Sequence, residues 1–133
     1  MKNKRKFLYS ILFLFFIKQS FLFAGELNVS STKIKIDKKT KIAILTGNVE
    51  AFDEKNNRLF SDYAKFSKEK ELLETEGKTE ITTSENFKVI GKNILFDNKK
   101  KIISSNDETK IIDRDGNEIS VNMFKYLTEK NIF

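Results

Sequence analysis

The chain contains no cysteine, no histidine, no proline and no tryptophan. Without cysteine there is neither a disulfide framework nor a thiolate metal site. Without histidine the commonest general base and the commonest metal ligand are both missing. The five glycines form no phosphate-cradling loop, and no serine has an imidazole to activate it. These absences argue against an enzyme and against any cofactor. The formal net charge of +6 at first suggests a nucleic-acid partner. However, Lys2, Lys4, Arg5, Lys6 and Lys18 all precede residue 25, and no acid does. Removing those five from the 25 basic residues leaves 20 against 19 acids. The rest of the chain is nearly neutral, its lysines and glutamates are interspersed, and no basic stripe suited to phosphates stands out.

What is present begins with a leader. Residues 1–6 are basic, Phe7 to Ile17 are apolar, and Phe21-Leu22-Phe23-Ala24 ends on a small residue before Gly25. This three-part order is that of a secretory signal peptide over residues 1–24, although Leu22 is large for the −3 position. A retained membrane anchor is the competing reading. It needs ~20 apolar residues, and Lys18 falls inside any such window. Either way residues 25–133, one domain by length, are expected across a membrane.

That domain repeats every thirty residues. Val29, Leu59, Val89 and Ile119 share one phase; Ile34, Ala64, Ile94 and Phe124 share another. Ile36, Phe66, Phe96 and Tyr126 form a third, and Ala43, Leu73 and Ile103 a fourth. Val49, Thr79 and Thr109, then Ala51, Ile81 and Ile111, complete the series. The units are strand-sized, and a period of this length marks a repeat architecture, here a β array. Polar breaks recur in two sets, at 37–40, 67–70 and 97–100, and at 53–57, 83–86 and 113–117. Leu45 to Ala51 reads as strand, tight turn at Gly47-Asn48, strand. Asp115-Gly116 is a hairpin signal. Face parity switches within each unit, which predicts a bulge or a new strand near 62–63, 92–93 and 122–123. Ser67 to Thr75 is rich in helix formers, but its repeat equivalents are β-like, so turn plus strand is expected there.

Little in this pattern carries chemistry. Asp113 to Asn117 faintly resembles a calcium loop, but the register would put Ile111 where the first carboxylate is needed. A hairpin turn is the better reading. Asp53-Glu54 and Asp107-Glu108 fall in expected turns, and Asn28-Val29-Ser30 is a short sequon that arises easily by chance. What is left is the apolar face, either a filled core or a groove.

Ile34-x-Ile36-Asp37, Leu45-Thr46-Gly47-Asn48-Val49-Glu50-Ala51 and Leu59-x-Ser61-Asp62-x-Ala64-x-Phe66 together resemble the OstA-like domain of the lipopolysaccharide-transport family. That domain occurs in LptA-like periplasmic bridge proteins and at the N-terminus of LptD-like proteins. Phe87-x-Val89-x-Gly91-x-Asn93-Ile94-x-Phe96-Asp97 and Asn131-Ile132-Phe133 look more like the LptD type. The resemblance implies an all-β fold, an elongated twisted β-jellyroll or β-taco, whose apolar interior takes lipid A acyl chains of lipopolysaccharide. It also implies end-to-end strand pairing with other OstA-like domains, a homo-oligomer among the options. The expected lining is Ile34, Ile36, Val49, Ala51, Leu59, Ala64, Phe66, Ile81, Val89, Ile94, Phe96, Ile111 and Ile119. LptD-like proteins continue into a barrel, whereas this sequence stops at Phe133, so a short bridge-like chain, a divergent relative or a truncated product is expected. A retained anchor would favour an LptC-like component instead. The rival from another class is a structural β-repeat module with a closed core and no ligand.

Overall fold

Apolar and polar residues alternate through short runs that end on Asp, Asn, Gly and Lys, the pattern of half-buried strands between tight turns. A computed structural model describes residues 26–133; the expected leader, 1–24, lies outside them. The strands are β1 (Asn28–Ser30), β2 (Lys33–Asp37), β3 (Ile42–Phe52), β4 (Arg58–Ser67), β5 (Leu72–Thr75) and β6 (Lys78–Thr82), followed by β7 (Lys88–Lys92), β8 (Leu95–Asp97), β9 (Ile102–Ser105), β10 (Thr109–Ile112), β11 (Glu118–Val121) and β12 (Phe124–Leu127). All pairs are antiparallel, and no helix occurs among the described residues. Within Ser67 to Thr75, Ser67 ends β4, residues 68–71 form the expected turn and β5 follows.

The pairing resolves into two sheets sharing the long strands β3 and β4. The first sheet runs β1, the end of β3, the start of β4, β6, β7, β10, β11. The second runs β2, the start of β3, the end of β4, β5, β8, β9, β12. The chain thus crosses from the second sheet to the first, turns back, and crosses again every thirty residues. The result is an all-β, twisted antiparallel sheet nearly closed on itself, the jellyroll or taco arrangement.

Each sequence column becomes part of a cross-strand row. In the first sheet Val29, Ala51, Leu59, Ile81, Val89, Ile111 and Ile119 lie side by side. In the second sheet the row is Ile36, Ala43, Phe66, Leu73, Phe96, Ile103 and Tyr126. Large residues stand opposite small ones, as at Ala43 with Phe66, Ala51 with Leu59 and Leu45 with Ala64. A single apolar cluster results, with members from both sheets.

Gly47-Asn48 is a correction to the expected strand–turn–strand reading. Both residues have positive φ, 75° and 47°, but β3 continues through them with a register shift between Thr46 and Val49. The pair is a corner where one strand passes from sheet to sheet. Across the slip β3 keeps its odd-numbered residues inward, Leu45 before it and Val49 and Ala51 after it, and the change of face falls on its partner β4. Of the expected parity switches, the first lies within β4, where Leu59 and Ser61 then Ala64 are buried. The other two are breaks between β7 and β8 and between β11 and β12. Hydroxyls fill the corners: Thr79 Oγ1 lies 2.8 Å from Thr75 Oγ1 and 3.2 Å from Ser61 Oγ. Gly91 faces Thr109 here, and a Cβ on it would sit 2.9 Å from Thr109 Oγ1.

The opposite side is a seam of turns. Lys101 Nζ of the second sheet pairs with Glu54 Oε1 of the first at 3.2 Å. Lys55 Nζ donates to the Glu129 carbonyl at 2.7 Å. Ser84 Oγ donates to Asn131 Oδ1 at 3.2 Å, and Asn131 Nδ2 to Glu85 Oε1 at 3.2 Å. Lys101–Glu54 and Ser84–Asn131 each join turns 47 residues apart in sequence, and Lys55 reaches on to the next turn of the second sheet, 74 residues away. Thirty-residue repeats facing each other at the offset of 47 are staggered. Turns 38–41 and 68–71 of the second sheet, and 113–117 of the first, therefore have no facing turn among the described residues.

Candidate functional site

The stagger leaves the interior closed in its middle and open at its ends. Among the expected lining residues, Val49, Ala51, Leu59, Ala64, Ile81, Val89, Ile94, Phe96 and Ile111 are buried, most of them fully. Their side chains are packed against the facing sheet, so in this conformation they are core. Phe66 is half-buried. Ile34, Ile36 and Ile119 are open to solvent, at 53%, 64% and 59% exposure. These three are terminal rungs, with an interior-facing side chain and no further strand to cover it among the described residues.

At the N-terminal end Ile34, Ile36, Ala43, Leu45 and Phe66 of the overhanging second sheet, with Leu27 and Val29, line a mouth of about 390 Å³. Lys41, Lys68, Glu71 and Glu26 stand at its rim. The volume is in the range of about 300–1,000 Å³ common for small-ligand sites. Its apolar floor continues the core rows directly, because Ile36 pairs with Ala43 and Ala43 with Phe66.

At the C-terminal end a depression of about 640 Å³ is lined by Ile111, Val121, Met123, Phe124 and Phe133. It continues around the edge of β12 to Leu95, Ile102, Lys100 and Lys125. Here the chain covers itself. The Leu127 N–H donates to the Ile132 carbonyl at 2.8 Å. The Phe133 ring packs against Tyr126 (4.8 Å between centroids), Phe87 (5.3 Å) and Phe124 (6.5 Å). This aromatic cap was not visible as such in the sequence. Asn131 adopts φ 55°, as do Lys41, Glu71 and Lys101 within a few degrees, so the cap grows out of a turn of the ordinary repeat.

The carboxylates considered for chemistry are engaged in turns. Asp113 Oδ1 accepts from the N–H groups of Asp115 (2.9 Å) and Asn117 (2.8 Å), and Oδ2 from Asn117 Nδ2 (2.8 Å). These bonds hold its carboxyl below the usual carboxylate value, the Asn117 side chain contributing most. Asp53 and Asn57 repeat the same pattern at 2.9 and 2.8 Å. Among the described residues no cluster of acids assembles that could hold a metal ion, no buried side-chain polar atom lacks a partner, and no helix is long and apolar enough to cross a membrane. The surface carries mixed pairs such as Arg58–Glu50, Lys88–Glu80 and Lys110–Glu118. Among the described residues the arrangement offers apolar burial at two mouths. No protein-family model and no curated protein matches the chain.

Proposed function

We propose that the chain is a periplasmic, OstA-like carrier that shields the acyl chains of lipopolysaccharide on the way to the outer membrane. The observation that carries this reading is the N-terminal mouth, where interior-facing Ile34 and Ile36 are exposed on a floor continuous with the core. An acyl chain laid there covers those side chains and gains ~0.8 kcal/mol for each methylene taken out of water. The rim charges, Lys41 and Lys68 among them, suit an amphiphile whose polar part stays outside. Binding is passive, and direction of transport comes from partners: other OstA-like domains joined by strand pairing at the open ends. The leader of residues 1–24 fits delivery to the periplasm. If it is retained as an anchor, an LptC-like place at the inner membrane follows.

The buried middle favours a second reading, a structural β-repeat module with no lipid ligand. One experiment separates the two. A photoreactive residue is placed at Ile36, at Phe66 and, as an outward-facing control, at Glu80, and the protein is irradiated in the presence of lipopolysaccharide. Adducts at 36 and 66 well above those at 80 are expected. Equal yields at all three positions would leave the structural module as the function.

A further inference from the structure

The hairpin turns of the two sheets differ in charge. Residues 37–41, 67–71, 97–101 and 127–131 of the second sheet hold nine lysines and five acids. Residues 53–57, 83–87 and 113–117 of the first hold five acids, one lysine and one arginine. Interspersed with acids in the sequence, the lysines are gathered by the fold along one edge of the second sheet. From there they reach over its outer face. Lys70, Lys99 and Lys100 line one hollow with Leu72 and Asp97. Lys100 and Lys125 line the next with Leu95, Ile102 and Met123.

That face is apolar between the lysines. Leu72, Leu95, Ile102 and Leu127 alternate with the buried Leu73, Phe96, Ile103 and Tyr126, so they point outward, and each is only half-buried. Met123 beside them is 65% exposed. Lys70, Lys99 and Lys125 make no ion pair among the described residues. Lys99 Nζ donates to the Glu69 carbonyl at 2.6 Å, which positions the ammonium without neutralising it. Within the four strands the acids are Asp97, paired with Lys100 at 3.0 Å, and Glu74. On the outer face of the first sheet Arg58, Lys88 and Lys110 are instead matched by Glu50, Glu80 and Glu118.

We infer that the outer face of β5, β8, β9 and β12 is a docking surface for a bilayer containing anionic phospholipid. The outward aliphatic side chains press to the boundary between headgroups and acyl chains. The lysine stems lie along them with their ammonium groups on lipid phosphates. A soluble polyanion would satisfy the lysines and leave the leucines in water. A neutral bilayer would cover the leucines and leave the lysines without counter-charge. A surface with a negative layer above an apolar one matches both. So docked, the second sheet lies along the bilayer and the ion-paired face of the first sheet looks to water. The C-terminal depression, which continues around β12 onto this face, then opens at headgroup level.

Because the chain has no cysteine, Ser104→Cys and Ser120→Cys each carry a single polarity-sensitive dye. The first lies between Leu95 and Lys125, the second on the outer face of the first sheet. The full chain is titrated with vesicles of phosphatidylglycerol and phosphatidylethanolamine, or of phosphatidylcholine alone. The dye at 104 is expected to shift to shorter wavelength with the anionic vesicles only, and to be quenched by spin-labelled lipid, while the dye at 120 does neither. Residues 1–24 are common to all variants, so a contact made by them does not produce this difference. Lys99→Glu combined with Lys125→Glu weakens the affinity read at 104 about tenfold or more, and Leu95→Ser weakens it as well. Lys92→Glu, on the first sheet, leaves it unchanged. An unchanged circular-dichroism spectrum checks that each variant keeps the fold. The vesicles contain no lipopolysaccharide, so docking and acyl-chain binding are read separately. Equal responses at 104 and 120, or no response at either, overturn the inference. So does a response at 104 that the double lysine variant leaves intact, or one given by inorganic polyphosphate and not by vesicles.

Discussion

At the scale of single residues, the turns are governed by positions with left-handed backbone. Asn56, Asn86 and Gly116 occupy one such position in successive repeats, with φ of 66°, 63° and 86°. Two of the three are asparagine, which tolerates this region, whereas a β-branched side chain does not. Gly116→Asn is therefore expected to change stability by no more than about 0.5 kcal/mol, and Gly116→Val to cost ~1–2 kcal/mol, both read from urea unfolding midpoints. The same turns set the pH response. Hydrogen bonds lower the folded-state value of Asp113, and the Lys39 backbone N–H does the same for Asp37. A depressed carboxylate contributes stability above its unfolded value, near 3.8, and loses it as pH falls through the folded value. With no histidine in the chain, the urea midpoint is expected to stay level from about pH 8 to about pH 5 and to decline below about pH 4. Asp113→Asn is expected to remove part of that decline. Both groups are exposed, so the effect is small.

At the scale of strands, what matters is where a rung falls along its row. Phe96 sits mid-row between Leu73 and Ile103 and is fully buried. Ile36 ends the same row and is mostly exposed. Phe96→Ala is expected to cost ~3–5 kcal/mol through lost burial and the cavity left behind. Ile36→Ala is expected to cost no more than about 0.5 kcal/mol, the usual range for a surface site. Urea midpoints of the two variants check this. The rows themselves were legible, because a period of thirty places Val29, Leu59, Val89 and Ile119 in one phase before any pairing is known. The sheet-switching corner at Gly47-Asn48 was not. Gly-Asn serves a hairpin and a bulged corner equally well, and only the partner strand β4, which runs on past both halves of β3, decides between them. Nor could the columns tell a mid-row residue from an end one. Ile111 and Ile119 are neighbours in a row and both apolar, yet one is buried and the other is open.

At the scale of the whole molecule, the two sheets face each other with a stagger, and this is what shapes the candidate site. The hairpins at 53–57 and 83–87 of the first sheet meet turns 47 residues further on in the second. That relation joins residues far apart in the chain through a handful of polar contacts, such as Lys101–Glu54, which no local pattern announces. Phe133 packing on Phe87 is of the same kind. The offset places one overhang at each end, on opposite sheets, and keeps the apolar openings apart. It has a further consequence for size. Each thirty-residue unit contributes two strands to each sheet, so the molecule can lengthen only in steps of two strand spacings, ~9.5 Å. A unit spliced into the middle would keep every facing turn in register and both mouths unchanged. The fold therefore works as a ruler with fixed graduations, whose span can change by whole units while its two ends stay the same.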